Sequence, residues 1–147
     1  WVGTDGEGLN LLNTDDYSFS KYTCDPKNGN SLSNNSVRSL LEDKRGRLWV
    51  GTDNGLNMLD ENSRSFRIYR HIPGRANTLS NNVVRTMFED ERNLLWIGTD
   101  NGLNIYNPEK DQFKVLKYDP FKLDVYSLGI IIILMKKHRT NLDPEEI

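Results

Sequence analysis

The sequence predicts an all-β protein, a partial β-propeller of about three four-stranded antiparallel blades plus the first strand of a fourth. The phrase Trp-Val/Ile-Gly-Thr-Asp begins at Trp1, Trp49 and Trp96, so it recurs after 48 and then 47 residues. The phrase Leu-Ser-Asn-Asn begins at Leu32 and Leu79, again 47 residues apart. Such periods are typical of propeller blades or helical arrays, and frequent Gly and Asn without helical spacing of apolar residues exclude the arrays.

One repeat is predicted to contain four short strands. The first two are expected at residues 37–42 and 48–52, on either side of the turn Asp-Lys-Arg-Gly-Arg. The other two are expected at residues 56–59 and 66–69. The triplet Asp-Asn-Gly at 53–55 suits a tight hairpin, because Asn and Gly tolerate the positive φ that such turns require. The unit is therefore predicted to be an antiparallel meander, which is the form of a propeller blade.

The repeat phase divides the chain into propeller repeats over residues 1–135 and a tail over residues 136–147. The repeats comprise a partial blade at 1–29, which starts at its second strand, whole blades at 30–76 and 77–123, and the start of a further blade at 124–135. The first strand of that further blade is expected at 130–134. The tail lacks the expected Trp-x-Gly-Thr phrase, and both a diverged blade and a truncated or shifted reading frame would explain it.

Composition excludes several classes of function. The net charge is −2, with 19 basic and 21 acidic residues and no basic block, so no nucleic-acid interface is expected. Cys24 is the only cysteine, which excludes an intramolecular disulfide and a cysteine-based zinc site, and no metal or cofactor is expected. The apolar run at 128–135 is far shorter than the ~20 residues of a membrane-spanning helix. The start at Trp1, inside a motif, predicts a piece of a longer chain.

The segment SLSNNSVRSLLEDKRGRLWVGTDNGLNMLD resembles the two-component regulator propeller repeat, and the resemblance extends over roughly residues 1–135. It implies the extracytoplasmic (periplasmic) sensor region of a bacterial hybrid two-component sensor in the inner membrane. The ligand would be an oligosaccharide. Further blades, downstream sensor domains and a histidine kinase would lie outside this chain, which itself would not be an enzyme.

Arg38 and Arg85 are the candidate ligand-binding residues. They occupy the same place in successive repeats, near the start of the innermost strand, which lines the channel of a propeller. A ring of guanidinium groups there would suit carboxylates or sulfates of acidic sugars, because arginine binds them with two parallel hydrogen bonds. The alternative is that each arginine pairs with a neighbouring acid, such as a strand-end glutamate, and has no further role.

The remaining repeated polar residues are interpreted as structural, so no catalytic residue is expected. Asp53 and Asp100 are interpreted as turn residues that bond their own backbone. The acid pairs at 42–43 and 89–90 are interpreted as solvated turn residues. Trp49 and Trp96 are expected to pack between blades rather than to stack on sugar rings.

His71 and His138 share no repeat position and have no catalytic partner in the sequence, so both are expected to be surface residues. Two other functions remain open at this stage, since fold alone does not determine function. One is a propeller lyase, and the other is a propeller that binds proteins. The apolar faces of an incomplete arc, including Val2 and Leu11, predict either self-association, for example as a homodimer, or only marginal folding.

Overall fold

The computed structural model describes residues 1–116, which form three antiparallel sheets and contain no helix. Blade 1 has three strands in chain order, and blades 2 and 3 have four each. The strands of blade 1 are β1 (Val2–Gly3), β2 (Leu9–Leu12) and β3 (Phe19–Tyr22). Those of blade 2 are β4 (Val37–Glu42), β5 (Leu48–Thr52), β6 (Gly55–Asp60) and β7 (Ser65–Tyr69). Those of blade 3 are β8 (Val84–Glu89), β9 (Leu95–Thr99), β10 (Gly102–Asn107) and β11 (Gln112–Leu116).

The predicted fold class is confirmed, and the strands of blade 2 lie close to their predicted positions. The first two strands have the predicted bounds. The third begins one residue early, because Gly55 pairs directly with Thr52 across the hairpin. Gly55 has φ of 127°, which glycine adopts without strain. The further first strand predicted at 130–134 and the tail at 136–147 lie outside the described residues.

The apolar core lies between the blades. The cluster between blades 1 and 2 contains Leu9, Leu32, Val37, Leu48, Val50, Leu59 and Phe66, and all are at most 8% exposed. The cluster between blades 2 and 3 contains Trp49, Leu56, Leu79, Val84, Leu95, Ile97, Tyr106 and Phe113. Burial of one large apolar side chain contributes about 1.5–3 kcal/mol. Contact between neighbouring blades therefore contributes substantially to stability.

The glycine of the Trp-x-Gly-Thr phrase permits the close approach of neighbouring blades. Gly51 on β5 faces β8, the first strand of the next blade, and a Cβ at this position would lie only 2.6 Å from Val84 Cγ1. A Cβ at Gly3 would collide with Val37 in the same way. The repeated glycine is thus a packing residue at the inner edge of each blade interface.

A buried polar contact fixes the Leu-Ser-Asn-Asn loop to the blade that follows it. The Ser33 backbone N–H donates to Asn57 Oδ1 at 2.9 Å, and Asn57 Nδ2 donates to Ser33 Oγ at 2.8 Å. The hydroxyl groups of Ser33 and Thr52 are also 2.9 Å apart. Ser80 and Asn104 repeat the arrangement in blade 3 at 2.8 and 2.9 Å. These bonds satisfy polar groups that would otherwise be costly to bury.

Candidate functional site

A β-bulge aims each candidate arginine away from the sheet. The pairing of β4 with β5 steps from Val37 to Ser39 and leaves Arg38 without a partner in the ladder. The pairing of β8 with β9 makes the same step around Arg85. Bulges commonly redirect a side chain at the rim of a sheet, and both arginines are exposed. We call the end of the blades that carries these side chains the arginine rim.

Each arginine of this rim is bound by the turn aspartate of its own blade. Arg38 donates from Nε and Nη2 to the two carboxylate oxygens of Asp53, at 2.8 and 2.5 Å. Arg85 donates in the same way to Asp100, at 2.6 and 2.9 Å. Such bidentate pairs are the strong form of this interaction. The predicted pairing of arginine with a neighbouring acid is present, but its partner is the aspartate of the hairpin rather than a strand-end glutamate.

The pairs connect into a row across the blades. Arg38 Nη1 lies 3.3 Å from Asp5 of blade 1, while its other nitrogens bind Asp53 of blade 2. Asp53 also lies near enough to Arg85 to interact with its charge. From blade 1 to blade 3 the row therefore alternates acid and base, and it ends at Asp100.

The pKa values of the rim follow from these pairs. The hydrogen bond from Arg38 holds the pKa of Asp53 below its ordinary value, and Arg85 does the same for the pKa of Asp100. The same hydrogen bonds raise the pKa values of both guanidinium groups. Arg38, Asp53, Arg85 and Asp100 are thus charged at neutral pH. The prediction that Asp53 and Asp100 serve to bond their own backbone is wrong, because both carboxylates face arginines.

The prediction that the acid pairs after the first strand are solvated is wrong for their second members. The Asp43 side chain is only 2% exposed. Its carboxylate accepts hydrogen bonds from Trp49 Nε1 at 2.8 Å and from the backbone N–H groups of Arg45 and Arg47 at 2.9 and 3.0 Å. Asp90 accepts from Trp96 Nε1 at 3.0 Å in blade 3. Each of these aspartates therefore fixes a hairpin and the buried tryptophan beside it.

Both tryptophans are buried, and Trp49 packs between blades as predicted. Trp49 is fully buried, and its ring centroid is 5.2 Å from that of Tyr106 and 5.8 Å from that of Tyr69. Tyr106 belongs to blade 3, so Trp49 packs between blades. Trp96 is 3% exposed in a cluster with Leu103 and Ile105 on the equivalent face of blade 3. Neither ring is available to stack on a sugar.

An aromatic and acidic cluster between blades 2 and 3 had no counterpart in the sequence predictions. Tyr106 Oη donates to Asp111 Oδ1 at 2.8 Å, and Tyr69 Oη donates to the same oxygen at 3.2 Å. Arg67 also pairs with Asp111. Burial raises the pKa of Tyr69 and that of Tyr106. Burial also acts to raise the pKa of Asp111, but hydrogen bonds from Tyr106 and Arg67 outweigh it and lower this pKa. The cluster joins β7, the outer strand of blade 2, to β10 and the turn after it in blade 3.

Other candidate features are modest. A shallow cavity of about 200 Å³ lies at the rim opposite the arginine rim, lined by Arg45, Arg92, Asn93, Leu94, Asn107, Pro108 and Glu109.

His71 is exposed, and its Nδ1 lies 2.7 Å from the Leu79 carbonyl oxygen. His138 lies outside the described residues. Among residues 1–116, no group of His, Cys, Asp and Glu is arranged to hold a metal ion. The same residues contain no helix long and apolar enough to cross a membrane.

Comparison with known families identifies the repeat. Residues 31–54 and 78–101 each match the two component regulator propeller family. Each match begins at the loop that precedes the first strand and ends at the turn that carries Asp53 or Asp100. The matched unit therefore contains both the arginine and the aspartate of the rim.

Known proteins with similar sequence or structure include a histidine kinase and the extracellular domains of hybrid two component systems. Histidine kinase P4 of Formosa agariphila is 42% identical over 54 residues, which are 37% of this chain and 4% of that protein. The extracellular domain of a hybrid two component system from B. thetaiotaomicron superposes with a TM-score of 0.65 at 26% identity, over 78% of this chain and 15% of that one. A second such domain from B. thetaiotaomicron is also 26% identical, with a TM-score of 0.47. The chain thus spans a small fraction of the length of these relatives.

Proposed function

We propose that this chain, which carries two copies of the two component regulator propeller repeat, is part of the ligand-sensing region of a bacterial two-component sensor. The observation that carries the proposal is the likeness, over 78% of the chain, to the extracellular domain of a hybrid two component system. On this proposal the chain lies in the periplasm, as part of an inner-membrane sensor. It signals to a histidine kinase elsewhere in the full polypeptide and performs no catalysis itself.

The ligand that we propose is an oligosaccharide, bound at the arginine rim by Arg38 and Arg85. The side chain of Arg85 is 49% exposed, and that of its partner Asp100 is 43% exposed. Within residues 1–116, Arg85 Nη1 makes no hydrogen bond, so it can still donate to a ligand. Sugar hydroxyl groups can accept from such a guanidinium and donate to the carboxylate beside it.

The ion pairs favour a neutral sugar over an acidic one. The row contains three carboxylates, from Asp5, Asp53 and Asp100, and two guanidinium groups. The row itself therefore carries no excess positive charge that would attract a sulfated or carboxylated sugar. Paired charges still offer fixed donors and acceptors, which suit hydroxyl groups.

Isothermal titration calorimetry of the full chain against neutral and sulfated oligosaccharides of equal length tests the site. We expect a neutral glycan to bind with little dependence on salt, because no net charge is neutralised. Arg85→Gln is expected to weaken binding about tenfold through loss of one or two charge-assisted hydrogen bonds. Arg64→Gln, an exposed arginine in the turn between β6 and β7, is the matched control.

Two results would oppose the site: binding of sulfated glycans alone, or equal affinities for the Arg85→Gln and Arg64→Gln variants. The sensor role is tested separately with the complete polypeptide in membranes. There, the glycan that binds is expected to change histidine phosphorylation, and Arg85→Gln is expected to raise the concentration required. Unchanged phosphorylation at saturating glycan would reject the sensor role.

A further inference from the structure

Blade 1 exposes apolar side chains that are buried at the equivalent positions of the other two blades. The hairpin registers make Phe19 equivalent to Phe66 and Phe113. Phe19 is 61% exposed, whereas Phe66 and Phe113 are 4% and 5% exposed. Val2 is 43% exposed, and the residues that match it in blades 2 and 3 are fully buried. These side chains lie on what we call the back face, the face that a blade turns toward the preceding blade.

In blades 2 and 3 the back face is covered in part by the Leu-Ser-Asn-Asn loop. Leu32 and Leu79 are 0% and 1% exposed, and each lies in the same apolar cluster as the phenylalanine of its blade. The carbonyl oxygen of Asn30, at the start of the loop, accepts from the Phe66 N–H at 2.7 Å. The loop therefore covers the position that is open at Phe19.

The polar groups that anchor this loop are also present in blade 1. Asn10 is equivalent to Asn57, which binds Ser33 through both its backbone and its hydroxyl group. Among residues 1–116, the Asn10 side chain has no hydrogen-bond partner, and it is half-buried. Thr4 bonds the Gly8 carbonyl as Thr52 bonds that of Gly55, so it can present its hydroxyl group to a serine as Thr52 does.

The inner edge of blade 1 also lacks a strand within the described residues. β5 pairs with β4 on one side and β6 on the other, whereas β1 pairs with β2 alone. Asp5, at the end of this edge, has a side chain that is 69% exposed, against 30% for Asp53. In blade 2 the aspartate at this position is bound by the arginine of the first strand.

We propose that the back face of blade 1 is an acceptor for the loop and first strand of a further propeller repeat, an extended segment of the form Leu-Ser-Asn-Asn-x-Val-Arg. Its leucine would cover Phe19, its serine would bind Asn10 and Thr4, and its arginine would pair with Asp5. The occupant is identified by continuity with the two interfaces already described, in which segments of this form contact the same positions. This assignment does not depend on the ligand of the arginine rim.

A fluorescein-labelled synthetic peptide with the sequence of residues 30–43, NSLSNNSVRSLLED, tests the proposal by fluorescence anisotropy with the full chain. We expect saturable binding. Leu32→Asp in the peptide is expected to weaken binding at least about tenfold, because a charge would replace a buried apolar group. Phe19→Asp in the protein is expected to abolish binding without unfolding, since Phe19 is exposed.

Asn10→Ala in the protein is expected to weaken binding by about threefold to tenfold through loss of the serine anchor. Asn62→Ala, at an exposed turn, is the matched control and is expected to bind with unchanged affinity. Equal affinity of the wild-type and Phe19→Asp proteins would place the peptide elsewhere, for instance in exchange with β4, and would overturn the proposal. Sedimentation could instead show a dimer that Phe19→Asp dissociates but that excess peptide leaves intact. This result would assign the back face to a second copy of the chain and would also overturn the proposal.

Discussion

Replacement of Asp43 by alanine is expected to destabilise the protein more than replacement of any exposed turn acid. Asp43 accepts hydrogen bonds from Trp49 Nε1, from two backbone N–H groups of its own turn and from Arg47 Nε. Trp49 is fully buried and packs against blade 3. The substitution therefore affects both a hairpin and a blade interface.

The magnitude follows from the donors that lose their acceptor. The indole N–H of Trp49 would be left buried and unsatisfied, which costs about 1–3 kcal/mol. The backbone N–H groups of Arg45 and Arg47 lie in a turn open to water, so each contributes only about 0.5 kcal/mol. Together these terms predict a loss of about 2–4 kcal/mol in the free energy of unfolding.

Urea titration followed by circular dichroism measures this loss. With a slope of about 2 kcal/mol per molar urea, in the middle of the range for a small protein, we expect the urea midpoint to fall by roughly 1–2 M. Asp60→Ala is the matched control, because Asp60 is an exposed turn acid of the same blade. Among the described residues, its carboxylate accepts hydrogen bonds only from Asn62 and Ser63 of its own turn. The reasoning would be refuted by equal midpoints for the two variants.

Three further expectations follow from the same contacts. Burial acts to raise the pKa of Asp43, but its hydrogen bonds outweigh burial and lower this pKa below 3.8. The stabilising effect of the Asp43 carboxylate is therefore full above pH 3.8 and is lost as pH falls through the folded pKa. The free energy of unfolding should fall less in acid for Asp43→Ala than for the wild type, and parallel curves would contradict this. In thermal melts, Asn57→Ala should lower the free energy of unfolding by about 2–4 kcal/mol, because Asn57 anchors the Leu-Ser-Asn-Asn loop. Asn10→Ala, at a half-buried position, should lower it by less than about 1 kcal/mol. The reverse order would be inconsistent with this role of Asn57. Gly51→Ala should lower the free energy of unfolding by about 1–3 kcal/mol, because the added Cβ would clash with Val84. An unchanged melting temperature would show that the blades can separate freely.

The fold could be predicted from the sequence because the repeat supplied the same information several times. A Trp-x-Gly-Thr phrase with a fixed period gave the phase, and Asp-Asn-Gly gave the turn between β5 and β6. The strand bounds of blade 2 followed from apolar residues between such turns. Only the ends of β6 and β7 differed, because hydrogen-bonded pairing extends beyond the apolar residues.

The polar contacts were harder to predict because they join residues distant in sequence. Asp53 is 15 residues from Arg38, and sequence spacing does not show that a bulge brings them together. The burial of Asp43 depends on the indole that lies beside it, so its residue type suggested a solvated turn instead. The contacts of Asp111 with Tyr69 cross two blades, and Asp111 has no repeated counterpart that could have indicated them.

The bidentate pairs of the arginine rim bear on how such a gene can change in length. Arg38 and Asp53 lie within one unit of 47 residues, and Arg85 and Asp100 lie within the next. Tandem duplication or deletion of one unit therefore adds or removes both partners at once, and no guanidinium or carboxylate group is left without its ion-pair partner. Recombination between repeats can vary the number of blades without a compensating point mutation at this rim.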